Sequence, residues 1–89
     1  MGRSVSPMRD YWRGRHVVYR CFDWEGSLLY IGASSDLYKR WRVHVNRTPW
    51  FREVEKIAIK IYPNRWVAFA EENKAIQAER PRYNVRNAA

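Results

Sequence analysis

Tyr19, Tyr30, Arg40, His44, Glu72 and Asn84 place two phenols, a guanidinium, an imidazole, a carboxylate and an amide in a chain of 89 residues. That set matches what cleavage of a phosphodiester with one divalent metal requires: a ligand for the metal, a cationic fork for the phosphate, and groups that take a proton from water. Glu72 lies three and four positions from Ala68, Phe69 and Ile76, so on a helix it falls on or beside the stripe that should be buried. Burying an unpaired carboxylate costs roughly several kcal/mol unless a cation or hydrogen bonds compensate, which makes Glu72 the candidate metal ligand. The competing reading is a slightly rotated stripe with Glu72 solvated and paired to an Arg. Glu71 is the neighbouring alternative, but it tilts toward solvent.

One carboxylate completed by waters and a phosphate oxygen suits Mg²⁺, with Mn²⁺ expected to substitute, whereas no His-rich or Cys-rich spacing for zinc is present. Arg40 offers a planar fork for a phosphate, and His44, four residues on, shares its helix face. The cation should push the imidazole pKa down and keep it neutral, able to accept a proton. Plainer roles exist for each: an exposed helix Arg, a satisfied surface His, and a cross-strand aromatic pair for Tyr19 and Tyr30.

The elements that would position these groups follow from pattern. β-branched and aromatic residues from His16 to Phe22 and from Ser27 to Gly32 flank Asp23-Trp24-Glu25-Gly26, which predicts a hairpin. A turn symmetric about Trp24 and Glu25 sets Tyr19 opposite Tyr30, with both phenols on one face. A bulge with Gly26 in the left-handed region would shift that register by one. Ser34, Ser35 and Asp36 can cap a helix from Asp36 to Arg47, ended by Thr48-Pro49. A short helical turn over Trp50 to Val54 precedes an alternating segment, Glu55 to Tyr62, that puts Ile57, Ile59 and Ile61 on one side of a third strand. Pro63-Asn64 breaks it, and a last helix runs from Arg65 or Trp66 to Arg80 before Pro81. The order β-β-α-(α)-β-α predicts one α+β domain with a small three-stranded, mostly antiparallel sheet flanked by helices.

Charge narrows the partner. Seventeen Lys and Arg against nine Asp and Glu leave a net charge of +8 and a pI near 10.2, so a polyanion is expected, and nucleic acid fits best. Arg13, Arg15, Lys39, Arg42, Arg47 and Arg82, with Arg80 and Arg86, are the candidate phosphate contacts. Residues 1–15 are expected to be a basic mobile arm and 16–89 the folded domain. No apolar run approaches the length of a membrane span, which argues against a membrane partner. Cys21 is the only cysteine, so an internal disulfide is excluded, and an intracellular, cytoplasmic location is expected.

Four pieces of the chain, in order, resemble the GIY-YIG endonuclease family. Tyr30-Ile31-Gly32 is the second signature as it stands, and Val17-Val18-Tyr19 is similar to the first, with valines in place of the leading Gly and Ile. Eleven residues separate Tyr19 from Tyr30, ten more reach Arg40 in Asp36-Leu37-Tyr38-Lys39-Arg40-Trp41, and four more reach His44, a spacing similar to that of homing enzymes in the family. Glu72-Asn73-Lys74-Ala75-Ile76 with Pro81-Arg82-Tyr83-Asn84 resembles the final helix and closing Asn of the nucleotide-excision repair nucleases. The resemblance implies a metal-dependent nuclease in which Glu72 binds the metal, Arg40 contacts the scissile phosphate, Tyr19, Tyr30 and His44 position or deprotonate water, and Asn84 holds the site by hydrogen bonds. Ala33 stands where many relatives carry Lys or Ser next to the signature. The expected function is thus a Mg²⁺-dependent DNA endonuclease acting on duplex or branched DNA, with a partner protein or DNA shape supplying specificity. A catalytically silent nucleic-acid-binding module of the same fold is the alternative.

Overall fold

The computed structural model describes residues 15–84; the basic arm before them, with Arg13, and the end of the tail, with Arg86, lie outside the described residues. Three strands, β1 (His16–Phe22), β2 (Leu28–Ser34) and β3 (Lys56–Tyr62), form one antiparallel sheet in the order β2-β1-β3. Helix α1 (Leu37–Arg47) and a 3₁₀ turn (Pro49–Glu53) lie between β2 and β3, and α2 (Arg65–Glu79) follows β3. The α+β architecture and its element order are those the pattern predicts.

β1 is central and buried on both faces. Val17, Tyr19 and Cys21 pack with Leu37, Trp41, Trp50, Ile57 and Ile61 in one cluster, whereas Val18 joins Ile31, Ala68 and Ala75 in the other. Ala68 and Ala75 are the buried positions of α2; their small side chains let the helix lie close on the sheet. Phe69, expected on that stripe, is instead 38% exposed and meets His16 edge-on at 5.5 Å. Glu72 lies on the Ala68–Ala75 face, between the two alanines. Ile59, on the edge strand β3, is 45% exposed, and the ring of its cross-strand partner Tyr19 leans the other way, toward Gly32.

The hairpin register differs from the symmetric pairing. Asp23 organises the turn: its Oδ1 accepts from the Glu25 and Ser27 amides at 2.9 and 2.8 Å, and Gly26 takes a φ of +88°, which glycine adopts without strain. Leu28 then pairs with Phe22, and a further irregularity between Cys21 and Phe22 sets Cys21 against Tyr30 and Tyr19 against Gly32. The two one-residue steps add to an even shift, so Tyr19 and Tyr30 stay on the same face as diagonal neighbours, 6.1 Å between ring centroids.

Asp36 caps α1, its Oδ1 accepting from the Lys39 amide at 3.1 Å, and Asn64 caps α2 by accepting from Val67 at 3.0 Å. Arg80, at φ 48°, ends α2 in the left-handed conformation and sends the chain through buried Pro81 back to β2. A bidentate pair, Arg20 to Glu79 at 2.9 and 2.7 Å, ties the end of α2 to β1. No helix of the described residues is long and apolar enough to cross a membrane.

Candidate active site

The site is assembled on the Tyr19 face of the sheet, where α1 crosses it. Helical spacing aims Arg40 and His44 at the same phenol: Arg40 Nε donates to the Tyr19 hydroxyl at 3.4 Å, and His44 Nε2 lies 3.2 Å from it. One turn on, His44 Nδ1 lies 2.9 Å from Thr48 Oγ1. Arg40 can only donate, so Tyr19 accepts there and its single O–H proton needs another acceptor. Tyr19 is fully buried and His44 Nε2 is the acceptor within reach, which puts the histidine proton on Nδ1, donating to Thr48. The hydrogen bonds therefore run one way, from Arg40 through Tyr19 and His44 to Thr48.

Burial controls the charges. It pushes the Tyr19 phenol well above its ordinary pKa, and the hydrogen bond from Arg40 only partly opposes this. Burial also lowers the His44 pKa, with the Arg40 charge as second cause, so the imidazole is neutral at pH 7. Arg40 is held more firmly protonated, chiefly by its hydrogen bond to Tyr19 and also by one to Tyr30. Tyr30, unlike Tyr19, lines an open cleft of about 430 Å³ with Arg40, His44 and Arg47.

The half-buried carboxylate of Glu72 has its pKa raised by desolvation, against which Arg40 acts. The Arg40 charge thus reaches Glu72, although α2 packs its Ala68–Ala75 face on the Val18–Ile31 side of the sheet and not on the Tyr19 side. No hydrogen bond or ion pair reaches Glu72 among the described residues, whereas Glu71 pairs with Lys74 at 3.6 Å. Three His, Cys, Asp or Glu side chains converge nowhere among the described residues. A lone, partly desolvated carboxylate of this kind fits a cation that keeps most of its water, as Mg²⁺ does, and does not fit zinc.

Asn84 is 4% exposed and spans the outer edge of β2, where its Oδ1 accepts from the Ile31 amide at 2.9 Å and its Nδ2 donates to the Ile31 carbonyl at 3.0 Å. One side chain thus replaces a missing strand neighbour between Tyr30 and Gly32.

The first signature's tyrosine and the second signature's glycine meet directly, since a Cβ at Gly32 would collide with the Tyr19 ring. The family profile described as GIY-YIG catalytic domain matches residues 15–84. The chain belongs to the GIY-YIG catalytic domain family. It is 32% identical over 82 residues to UvrABC system protein C of Aliarcobacter butzleri, 32% over 75 residues to that of Anaplasma phagocytophilum, and 29% over 75 residues to that of Francisella philomiragia. Each match covers 76% of this chain but only 12 or 13% of the relative, so the chain spans about an eighth of the length of these proteins. Family membership makes this a nuclease domain.

Within the GIY-YIG fold, five contributors escaped the sequence reading. Trp41 meets Tyr19 edge-on at 4.9 Å, Phe51 stacks on His44 at 5.8 Å and 9°, and Trp50 stacks on Tyr83 at 5.4 Å and 5°. Thr48, four residues after His44, was the one findable by spacing. Of the candidate phosphate contacts, Lys39 and Arg42 are exposed, Arg42 lying over the Tyr38 ring at 5.8 Å, and Arg15 is exposed at the foot of β1. Arg82 is instead 3.5 Å from Glu53, which also accepts from the Tyr83 hydroxyl at 2.9 Å.

Proposed function

We propose that this domain is a divalent-metal-dependent endonuclease that hydrolyses DNA phosphodiester bonds with one metal ion. The observation that carries the reading is the unpartnered, half-buried Glu72 carboxylate in the field of Arg40, on a domain with a net charge of +8. Mg²⁺ held at Glu72, with Mn²⁺ able to replace it, would neutralise charge gathering on the phosphate. Arg40, its Nε fixed by Tyr19 before substrate arrives, contacts the scissile phosphate and stabilises the pentacovalent transition state. Tyr30, the phenol lining the cleft, orients the attacking water. As the water oxygen bonds to phosphorus and the sugar oxygen leaves, the water's proton is taken up by the Tyr19–His44 pair. Neutral His44, which lines the cleft with Tyr30, is the acceptor of that pair, and Tyr19 stays a neutral phenol where burial opposes its ionisation. Asn84 keeps β2 in place without touching substrate.

Phosphate contacts position but do not specify, so DNA shape or a partner protein supplies whatever selectivity the enzyme has. A cytoplasmic location belongs to the same reading. Supercoiled plasmid incubated with Mg²⁺ and, separately, with EDTA tests it: nicking in Mg²⁺ alone, lost in Glu72→Gln, is expected. Binding without nicking in either condition would instead support a silent DNA-binding module.

A further inference from the structure

The cleft beside Arg40 is larger than a phosphate needs. Its volume of about 430 Å³ falls within the range of small-molecule sites. Its lining joins three aromatic rings, Tyr30, Trp50 and Tyr83, to two cations, Arg40 and Arg47, and contains no carboxylate. The rings form one run: Trp50 meets Tyr30 at 4.9 Å and Tyr83 at 5.4 Å, so the wall is stiff before any ligand arrives. The Tyr83 hydroxyl, donating to Glu53 at 2.9 Å, anchors one end of that run to the 3₁₀ turn. None of this is required to hold a metal or align Arg40. Three partly buried aromatic rings beside two positive charges and no negative one are complementary to a nucleotide unit, with its base against the ring wall and its phosphate on the guanidinium groups.

We infer that the cleft lined by Trp50, Tyr83, Tyr30 and Arg47 is a subsite for one unpaired nucleobase of the DNA strand next to the scissile phosphate. This rests on the nuclease reading for its placement, because Arg40 belongs to both the cleft and the reacting phosphate. A base paired inside a duplex cannot enter a cleft in the side of a protein, so the subsite selects DNA with an unstacked nucleotide at the cut: a flap, a junction, a bulge or a frayed end. Stacking accepts any base, so the preference is for structure rather than sequence.

The test removes the base and leaves the protein intact. The trinucleotide d(TTT) and its three singly abasic analogues are titrated into the full chain in EDTA, so that binding is read without cleavage, and the Trp50 indole N–H resonance is followed. Stacking of one base is worth on the order of 1–3 kcal/mol, so one abasic analogue should bind about 10-fold more weakly than d(TTT) and leave the Trp50 resonance unmoved. Trp50→Ala should bring the two affinities within about twofold. Should that variant not fold, the Trp50 resonance of the unaltered chain decides the matter. Four results would overturn the subsite: equal affinity for d(TTT) and every abasic analogue, a base effect undiminished in a folded Trp50→Ala protein, no shift at Trp50 at roughly 5 mM ligand, or dTMP binding as tightly as the trinucleotide, which would indicate a free-nucleotide site. Base-dependent binding by a protein that fails to nick plasmid would remove the nuclease reading and keep the subsite; nicking with no base effect would do the reverse.

Discussion

Gly32 lies directly across the sheet from Tyr19, and the tyrosine ring occupies the space where a side chain at Gly32 would be. A Cβ built at Gly32 would stand 2.9 Å from Tyr19 Cε2 and nearer still to Cζ and the hydroxyl. The two signatures are therefore halves of one contact. The phenol reaches Arg40 and His44 only because its cross-strand partner has no side chain.

Gly32→Ala should consequently act on both stability and activity. Over-packing at a buried site costs about 1–3 kcal/mol, and each kcal/mol lowers the Tm of a domain this size by roughly 4–8 °C. Displacing the ring also pulls its hydroxyl off His44 and Arg40, so cleavage should fall further than the folded fraction does. Thermal unfolding by circular dichroism and plasmid nicking well below the Tm separate the two effects; a variant with unchanged Tm would place the Tyr19 ring elsewhere.

Glu72→Gln should abolish Mg²⁺-dependent nicking without loss of stability. Burial raises the Glu72 pKa in the folded protein above its unfolded value, so the native state binds the extra proton and favourable stability fades as pH rises through that interval. At neutral pH the charge is a cost, and the amide removes it. The variant should melt at or above the parent's temperature in EDTA, and Mg²⁺ should raise the Tm of the parent alone. A Tm increase of equal size in both proteins would move the metal away from Glu72.

How far the site could be read from the sequence depended on the range of each interaction. Arg40, His44 and Glu72 sit where helical periodicity places them, because three- and four-residue spacing fixes a helix face whatever the tertiary packing. The same rule would have found Thr48. Strand pairing is less local: the Tyr19–Tyr30 register turned on Gly26 and on an irregularity at Cys21/Phe22 that no alternation reveals, although the even net shift preserved the shared face. The Trp50–Tyr83 stack joins residues from opposite sides of β3 and α2, and nothing in either segment marks it as more than core. Arg82 and Glu53 lie 29 residues apart in the chain, so nothing local signals the 3.5 Å pair that would compete with a phosphate there.

Arg40→Ala should lower the cleavage rate on the order of 10²-fold or more, the usual cost of removing one preorganised donor from a transition state. Arg40→Lys should recover little of it. A lysine ammonium cannot hold Tyr19 and a phosphate at once in a fixed plane. Single-turnover rates at saturating DNA would show the difference; full rescue by lysine would reduce the residue to a point charge.

The acid limb of the pH–rate profile should lie below the ordinary histidine value, because burial and then Arg40 hold His44 neutral. Stability carries the same sign. With the folded pKa depressed, the unfolded chain binds more protons, so the contribution present above the unfolded value is lost as pH falls through the folded one. Thr48→Val removes the acceptor that fixes the Nδ1 proton, and the rate should fall about 10-fold or more as the tautomer aimed at Tyr19 loses its support. An unchanged rate and an unshifted acid limb would show that Thr48 plays no part in orienting His44.

Phosphate contact should make DNA affinity fall steeply with salt, by about 0.9 in log–log slope for each phosphate neutralised. The cations are not equivalent in this respect. Lys39 and Arg42 are exposed on α1, and Arg47 lines the cleft, so Lys39→Gln, Arg42→Gln and Arg47→Gln should each flatten the slope by about that amount. Arg82 already stands 3.5 Å from Glu53, and giving up that partner offsets what a phosphate would gain. Arg82→Gln should therefore change the slope less than any of the three, while Glu53→Gln, by freeing the guanidinium, should steepen it. Fluorescence anisotropy of a labelled junction in EDTA across a salt series measures all five proteins against the parent. An Arg82 effect as large as that of Arg42 would show that DNA displaces the Glu53 pair on binding, and a slope unaffected by any of the α1 substitutions would place the DNA on another face of the domain.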